Sequence, residues 1–188
     1  MTGWIIVAVL AAIVIYAIVV FNGLVRQRNM VREGWSGIDV QLKRRTDLVP
    51  NLVETVKAYA AHERTVLEDV TKSRASSIAA PDVAGQASAA QALQGALGRL
   101  FAVAEAYPEL KADKNFLELQ QQLAEIEDQL QMARRYYNGT VRDLNIAIQS
   151  FPDSLVANAL HFSPEPFFEL DDPAARAAPE ISFAGGKA

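Results

Sequence analysis

The first charged side chain in this chain is Arg26. Met1 to Val25 holds no Asp, Glu, Lys, Arg or His, and Trp4 to Val25 is almost wholly Ile, Val, Ala and Leu, broken by Tyr16, Asn22 and Gly23. As a helix this stretch is roughly 30 Å long, the thickness of a bilayer core, and a helix satisfies its own backbone hydrogen bonds in lipid. Trp4 near one end suits an interface. A cleaved signal peptide fits less well. No Lys or Arg precedes the apolar run, the run exceeds a usual h-region, and no small-x-small site comes after it. A buried core helix of this length rarely lacks every charge. Residues 1–25 are therefore expected to form a transmembrane anchor, with Trp4, Tyr16, Phe21 and Val25 among its members. Arg26, Arg28 and Arg32 come directly after it. The positive-inside rule then sets the rest of the chain on the cytoplasmic side of a single-pass membrane protein.

The chain beyond the anchor is long enough for one ordinary domain. Cysteine is absent, which removes disulfides, thiolate metal sites and a thiol nucleophile. The net charge of −4 is unevenly spread. Arg26 to Asp47 carries six basic and three acidic residues, and the remainder carries twelve basic and nineteen acidic. A basic collar near a membrane attracts anionic headgroups. An acidic body argues against nucleic acid as a partner, because neutralised phosphates dominate that affinity.

Ala80-Pro81-Asp82 with Gly85, Tyr107-Pro108 with Asp113, and Phe151-Pro152 punctuate the soluble part. Between them apolar residues recur in steps of three and four. One seam runs through Val31, Trp35, Ile38, Leu42, Val49, Leu52, Val56, Tyr59, Val66 and Val70, broken at Arg45 and Glu63. A second uses Leu93, Leu97, Leu100, Ala104 and Tyr107. A third uses Phe116, Leu119, Leu123, Ile126, Leu130, Ala133, Tyr137, Leu144, Ala147 and Phe151. This is the period of long helices packed side by side.

The expected fold is all-α: the anchor (1–25), then an antiparallel bundle of three to four long helices (26–152), then a short helix and a mobile tail (153–188). The heptad phase passes through Pro50, which favours one helix over Arg26 to Ala79, kinked there. A corner at Val49-Pro50-Asn51, giving a four-helix bundle, is the alternative. The middle helix is too short to cover the first, so some apolar seam is expected to be left for a partner or a second copy. Phe167 and Phe168 are expected to pack back on the bundle.

Catalytic patterns are missing. His62-Glu63 would need a second His at position 66 to begin a zinc-protease motif, and Val66 stands there. His161 is the other histidine, so His62 reads as a solvated helix residue. Glu68-Asp69 and Glu125, Glu127 and Asp128 read as solvated faces. No Gly-rich phosphate loop or nucleophile elbow occurs. No metal, no cofactor and no enzymatic activity are expected. The stretch Ile38 to Leu52 is the most unusual. Either its basic residues serve carbonyls freed by Pro50, or Asp39, Lys43, Arg44, Arg45 and Asn51, joined by Arg134 and Arg135, form an interaction patch near the membrane.

Glu33-Gly34-Trp35-Ser36-Gly37-Ile38-Asp39-Val40-Gln41-Leu42-Lys43-Arg44-Arg45-Thr46-Asp47-Leu48-Val49-Pro50-Asn51-Leu52, Glu105-Ala106-Tyr107-Pro108-Glu109-Leu110, Ala133-Arg134-Arg135-Tyr136-Tyr137-Asn138 and Ser150-Phe151-Pro152 together resemble the LemA family. The similarity covers roughly residues 20 to 170. It departs from the usual pattern at Gly34, Thr46 and Leu144. The resemblance implies a bacterial membrane protein with an antiparallel helical bundle and no established biochemical activity. The functional expectation is a membrane-anchored scaffold or adaptor at the inner (cytoplasmic) membrane that presents its bundle to protein partners. The alternative is a self-assembling protein that organises or shapes membrane.

Overall fold

The structure, a computed structural model, describes residues 2–169. The tail expected over 171–188 lies outside them. The described residues are helical with no strand, in the order α1 (Thr2–Tyr59), α2 (Arg64–Ala79), α3 (Val83–Ala104), α4 (Pro108–Lys111), α5 (Lys114–Gln149) and α6 (Asp153–Ala159).

Helix α1 is continuous for 58 residues, about 87 Å. It carries the apolar N-terminal run without a break into the spine of the bundle. Pro50 lies inside it, so the heptad phase is the correct guide there and no corner forms. The helix nevertheless stops at Tyr59, which corrects the expected single helix to Ala79. Residues 60–63 turn the chain back, closed by the Ala60 N–H on the Val56 carbonyl (2.8 Å) and the Glu63 N–H on the Ala60 carbonyl (3.1 Å). His62 is exposed in this turn, not within a helix. Local propensity is not the cause, because Ala60, Ala61 and Glu63 all suit a helix. The gain is tertiary: reversal lays Leu67 and Val70 of α2 against Val49, Leu52 and Val56 of α1 and Ala60 of the turn, all buried.

The other ends obey local chemistry. The Asp82 carboxylate accepts from the Gly85 N–H (2.7 Å) and starts α3, and Asp113 accepts from the Phe116 N–H (2.9 Å) and starts α5. Pro108 opens α4 at a position where its missing N–H costs nothing.

Helix α5 runs antiparallel to α1 along almost its own whole length, and α6 continues the contact. The Tyr59 hydroxyl meets Asp113, Arg45 meets Glu127, Gly34 lies against Tyr137, and Tyr16 meets Asp153. At Gly34 the two backbones come close, since a Cβ there would stand 3.1 Å from the Tyr137 Cα. The α2–α3 hairpin packs on this pair and completes a four-helix section.

The core divides in two. A distal cluster gathers Val49, Leu52, Val56, Leu93, Leu100, Phe116 and their neighbours. A proximal cluster gathers Val20, Leu24, Ile38, Leu130, Tyr137, Val141, Leu144 and Phe168. All three seams point inward, with two exceptions. Tyr59 is partly exposed, and Phe151 at the end of the third seam is 80% exposed.

The seam of α1 from Val20 to Ile38 is not left bare. Helix α6 and the extended segment 163–169 cover it, with Phe168 fully buried beside Trp35 (ring centroids 6.0 Å) and Ala157 buried near Val20 and Leu24. The seam expected to await a partner is filled by the chain itself. Phe168 packs back as expected, whereas Phe167 remains partly exposed.

Candidate functional site

The unusual stretch of α1 sits where the two cores meet. Arg45 occupies a seam position and is only 5% exposed. Its Nη2 reaches Glu127 Oε2 of α5 at 3.4 Å. Burial lowers the Arg45 pKa and the Glu127 carboxylate partly restores it, so the guanidinium stays charged. Thr46, also buried, donates its hydroxyl to the Lys43 carbonyl (2.8 Å). Its own carbonyl would have been the partner of the N–H that Pro50 lacks, and Arg74 Nε of α2 donates to it at 2.8 Å. Arg45, Thr46 and Glu127 thus form a polar layer between two apolar ones. A cavity of about 410 Å³ opens beside it between α1, α2 and α3, lined among others by Asp39, Arg45, Asp47, Arg74 and Ser77.

The seven residues expected to form an interaction patch do not share one face. Arg45 is inside. Exposed Lys43 pairs with Asp47 one turn on (3.1 Å), and exposed Arg44 bonds Gln41 (3.4 Å). Asp39 and Lys43 border the 410 Å³ cavity, whereas Arg44 borders a shallow groove between α1 and α5 with Gln122, Glu125 and Asp128. Asn51 is exposed, and its carbonyl accepts from the Thr55 hydroxyl. Arg135 is exposed on α5. Arg134 is half-buried, with its guanidinium 5.6 Å from the Phe168 ring centre, and burial lowers its pKa. The proline-serving role belongs to Arg74, not to the local basic residues.

The family-like motif Ala133 to Asn138 has a clear structural task. Asn138 pairs twice with the backbone of Phe168: its Nδ2 donates to the carbonyl (3.2 Å) and its Oδ1 accepts from the N–H (2.9 Å). Two turns further, Asn145 does the same with Glu165 (2.9 Å and 2.9 Å). Between them the Tyr137 hydroxyl donates to the Pro166 carbonyl (2.8 Å). Burial first, and then the nearby Glu165, pushes the Tyr137 pKa up to about 12. The segment 163–169 has no helix or sheet to absorb its backbone groups, and α5 supplies partners from side chains spaced seven residues apart. Sequence reasoning misses this strap. The signal for it is Asn138 and Asn145 at heptad spacing on a helix face, with a proline-rich segment after them that cannot be helical.

Comparison with known proteins places this architecture. The model of the family described as LemA family matches residues 34–183. The chain is 24% identical over 174 residues to the Magnetosome protein MamQ of Magnetospirillum gryphiswaldense, covering 79% of this chain and 64% of the relative. It is 25% identical over 175 residues to Magnetosome protein MamQ 1 of Paramagnetospirillum magneticum, with the same coverage. It is 28% identical over 144 residues to Protein LemA of Metamycoplasma hominis, covering 74% of this chain and 64% of that protein. The chain therefore spans somewhat less than two thirds of the length of these curated relatives.

Proposed function

Because the chain belongs to the LemA family, we propose that it is a non-enzymatic, membrane-anchored helical scaffold. It holds a rigid bundle at the cytoplasmic face of a bacterial inner membrane and offers it to protein partners. One observation carries this reading. In α1 the residues from Trp4 to Val19, Ala17 apart, are exposed and almost wholly apolar, and the same helix then becomes the buried spine of the bundle. A helix with so much bare apolar surface seeks lipid, and its continuity ties the bundle's position to the membrane. Arg26, Arg28 and Arg32 at the junction set the orientation.

The positions offered to partners are the exposed members of the basic stretch, Asp39 and Lys43 on the cavity side, Arg44 on the α1–α5 groove, and exposed Asn51 on α1 and Arg135 on α5. Arg45 and Arg134 act beneath them. Arg45 holds α5 through Glu127, and Arg134 covers Phe168. No cofactor enters this reading, and nucleic acid is disfavoured by the acidic body.

The test is photo-cross-linking in intact membranes, with the reactive residue at Lys43, Arg44 or Arg135 of the full-length protein. A discrete adduct with one other protein supports the scaffold. A ladder of the protein's own multiples favours self-assembly that organises membrane. Adducts no stronger than background remove the scaffold reading.

A further inference from the structure

The turn between α5 and α6 lies beside the part of α1 that the anchor reading puts in lipid. A helix of bilayer-core length, roughly 30 Å, that starts at Trp4 ends near Gly23. On that scale Phe21 is about 3 Å and Tyr16 about 10 Å inside the near edge of the core. Both contact the segment that follows α5. The Tyr16 hydroxyl donates to the Asp153 carboxylate at the start of α6. The Phe21 ring packs edge-on against Phe162 (6.2 Å), which in turn lies under the Arg28 guanidinium (5.0 Å). Helix α6 therefore rises alongside α1 from the level of Tyr16 toward the arginine collar, and the α5–α6 turn is its lowest point.

The chemistry of that turn suits the depth. Phe151 at its tip is 80% exposed and Leu155, in the first turn of α6, is 62% exposed. Three of the turn's N–H groups bond internally: Ser150 N–H to the Ile146 carbonyl (2.9 Å), Ser154 N–H to the Ser150 carbonyl (2.7 Å) and Leu155 N–H to the Pro152 carbonyl (3.1 Å). Pro152 has no N–H to satisfy. Irregular backbone tolerates an apolar medium only when its polar groups are paired, and a carboxylate there needs a donor, which Tyr16 provides. Interfacial elements of this kind bury their apolar side chains about 5–10 Å into the headgroup–acyl boundary.

We propose that the α5–α6 turn is a second membrane contact, inserting Phe151 and Leu155 into the leaflet from which α1 emerges. This rests on the anchor reading of α1. The bundle then meets the bilayer at two points, and the membrane edge lies nearer the N-terminus of α1 than the first arginine suggests.

The chain has no cysteine, so single Phe151→Cys, Leu155→Cys, Val14→Cys and Gln121→Cys variants of the full-length protein each accept one nitroxide label. Collision with oxygen and with a water-soluble nickel complex is then read in phosphatidylcholine–phosphatidylglycerol vesicles. All four side chains are exposed, so labelling leaves the packing intact. The expected result is loss of nickel collisions at 151 and 155 relative to 121, with oxygen collisions raised as at 14. If 151 and 155 behave like 121 while 14 is shielded, the turn is in water and the proposal falls, although the anchor stands. If 14 is also open to nickel, the anchor reading fails and takes the proposal with it.

Discussion

The Nε of Arg74 donates a 2.8 Å hydrogen bond to the backbone carbonyl of Thr46, four residues before Pro50. Within a helix that carbonyl would accept from residue 50, and proline has nothing to give. A side chain from α2 supplies the missing donor. It also ties the reversed helix to the spine at the level of the polar layer. This one contact reconciles an internal proline with a 58-residue helix.

Arg74→Ala is expected to destabilise the protein by about 1–3 kcal/mol, because it strands a half-buried carbonyl. The loss should shrink sharply in a Pro50→Ala background, where the restored N–H takes over. Denaturant unfolding of the four proteins in detergent micelles closes the cycle. Equal losses in both backgrounds would mean that Arg74 acts through packing alone.

Glu127→Ala is expected to cost more than Arg45→Met. The first leaves a buried guanidinium without its carboxylate, at about 2–3 kcal/mol given that Glu127 keeps some water contact. The second removes the charge and keeps the volume, at about 1 kcal/mol or less. Thermal unfolding of the two variants gives the order. The reverse order would show that Arg45 has other partners of greater weight.

Removing Asn138 or Asn145 is expected to free the strap without melting the bundle. Each side chain makes two hydrogen bonds to strap backbone. Losing one pair should speed amide exchange at Phe168 or Glu165 by about tenfold or more, while amides of Leu52 and Leu123 keep their protection. Uniform acceleration would show that the strap is needed for the whole fold.

Asp113 carries a pH dependence of known sign. Its bond from the Phe116 N–H, with help from the Tyr59 hydroxyl, holds its carboxyl below the ordinary 3.8. The stabilisation is complete above 3.8 and is lost as pH falls through the lower folded-state value. Wild type should exceed Asp113→Ala in stability at neutral pH, and the gap should close in acid. Unfolding curves at several pH values measure it, and a constant gap would assign the effect to something other than the carboxylate.

Much of the fold is written in the seams. Val49, Leu52 and Val56 on one helix and Phe116 to Leu130 on another are at heptad spacing, and their seam positions are buried. Asp82 and Asp113 announce their helix starts. The turn at Ala60 to Glu63 is illegible, because its residues are at home in a helix and only distant packing reverses the chain. Arg45 stands out as a break in the seam. Its charge suggests the surface, whereas its partner, Glu127, lies on a helix more than seventy residues on. The Asn138 rung is hidden because its partners are backbone groups, which a sequence does not display.

The unbroken α1 has a mechanical consequence. From Gly23 to Tyr59 it extends about 54 Å, so under the proposed anchoring it works as a lever with its short arm in lipid. A helix answers a change in bilayer thickness by changing its tilt. A tilt change of about 10° would sweep the far end of the bundle sideways by about 9 Å, turning a property of the surrounding lipid into a displacement in water.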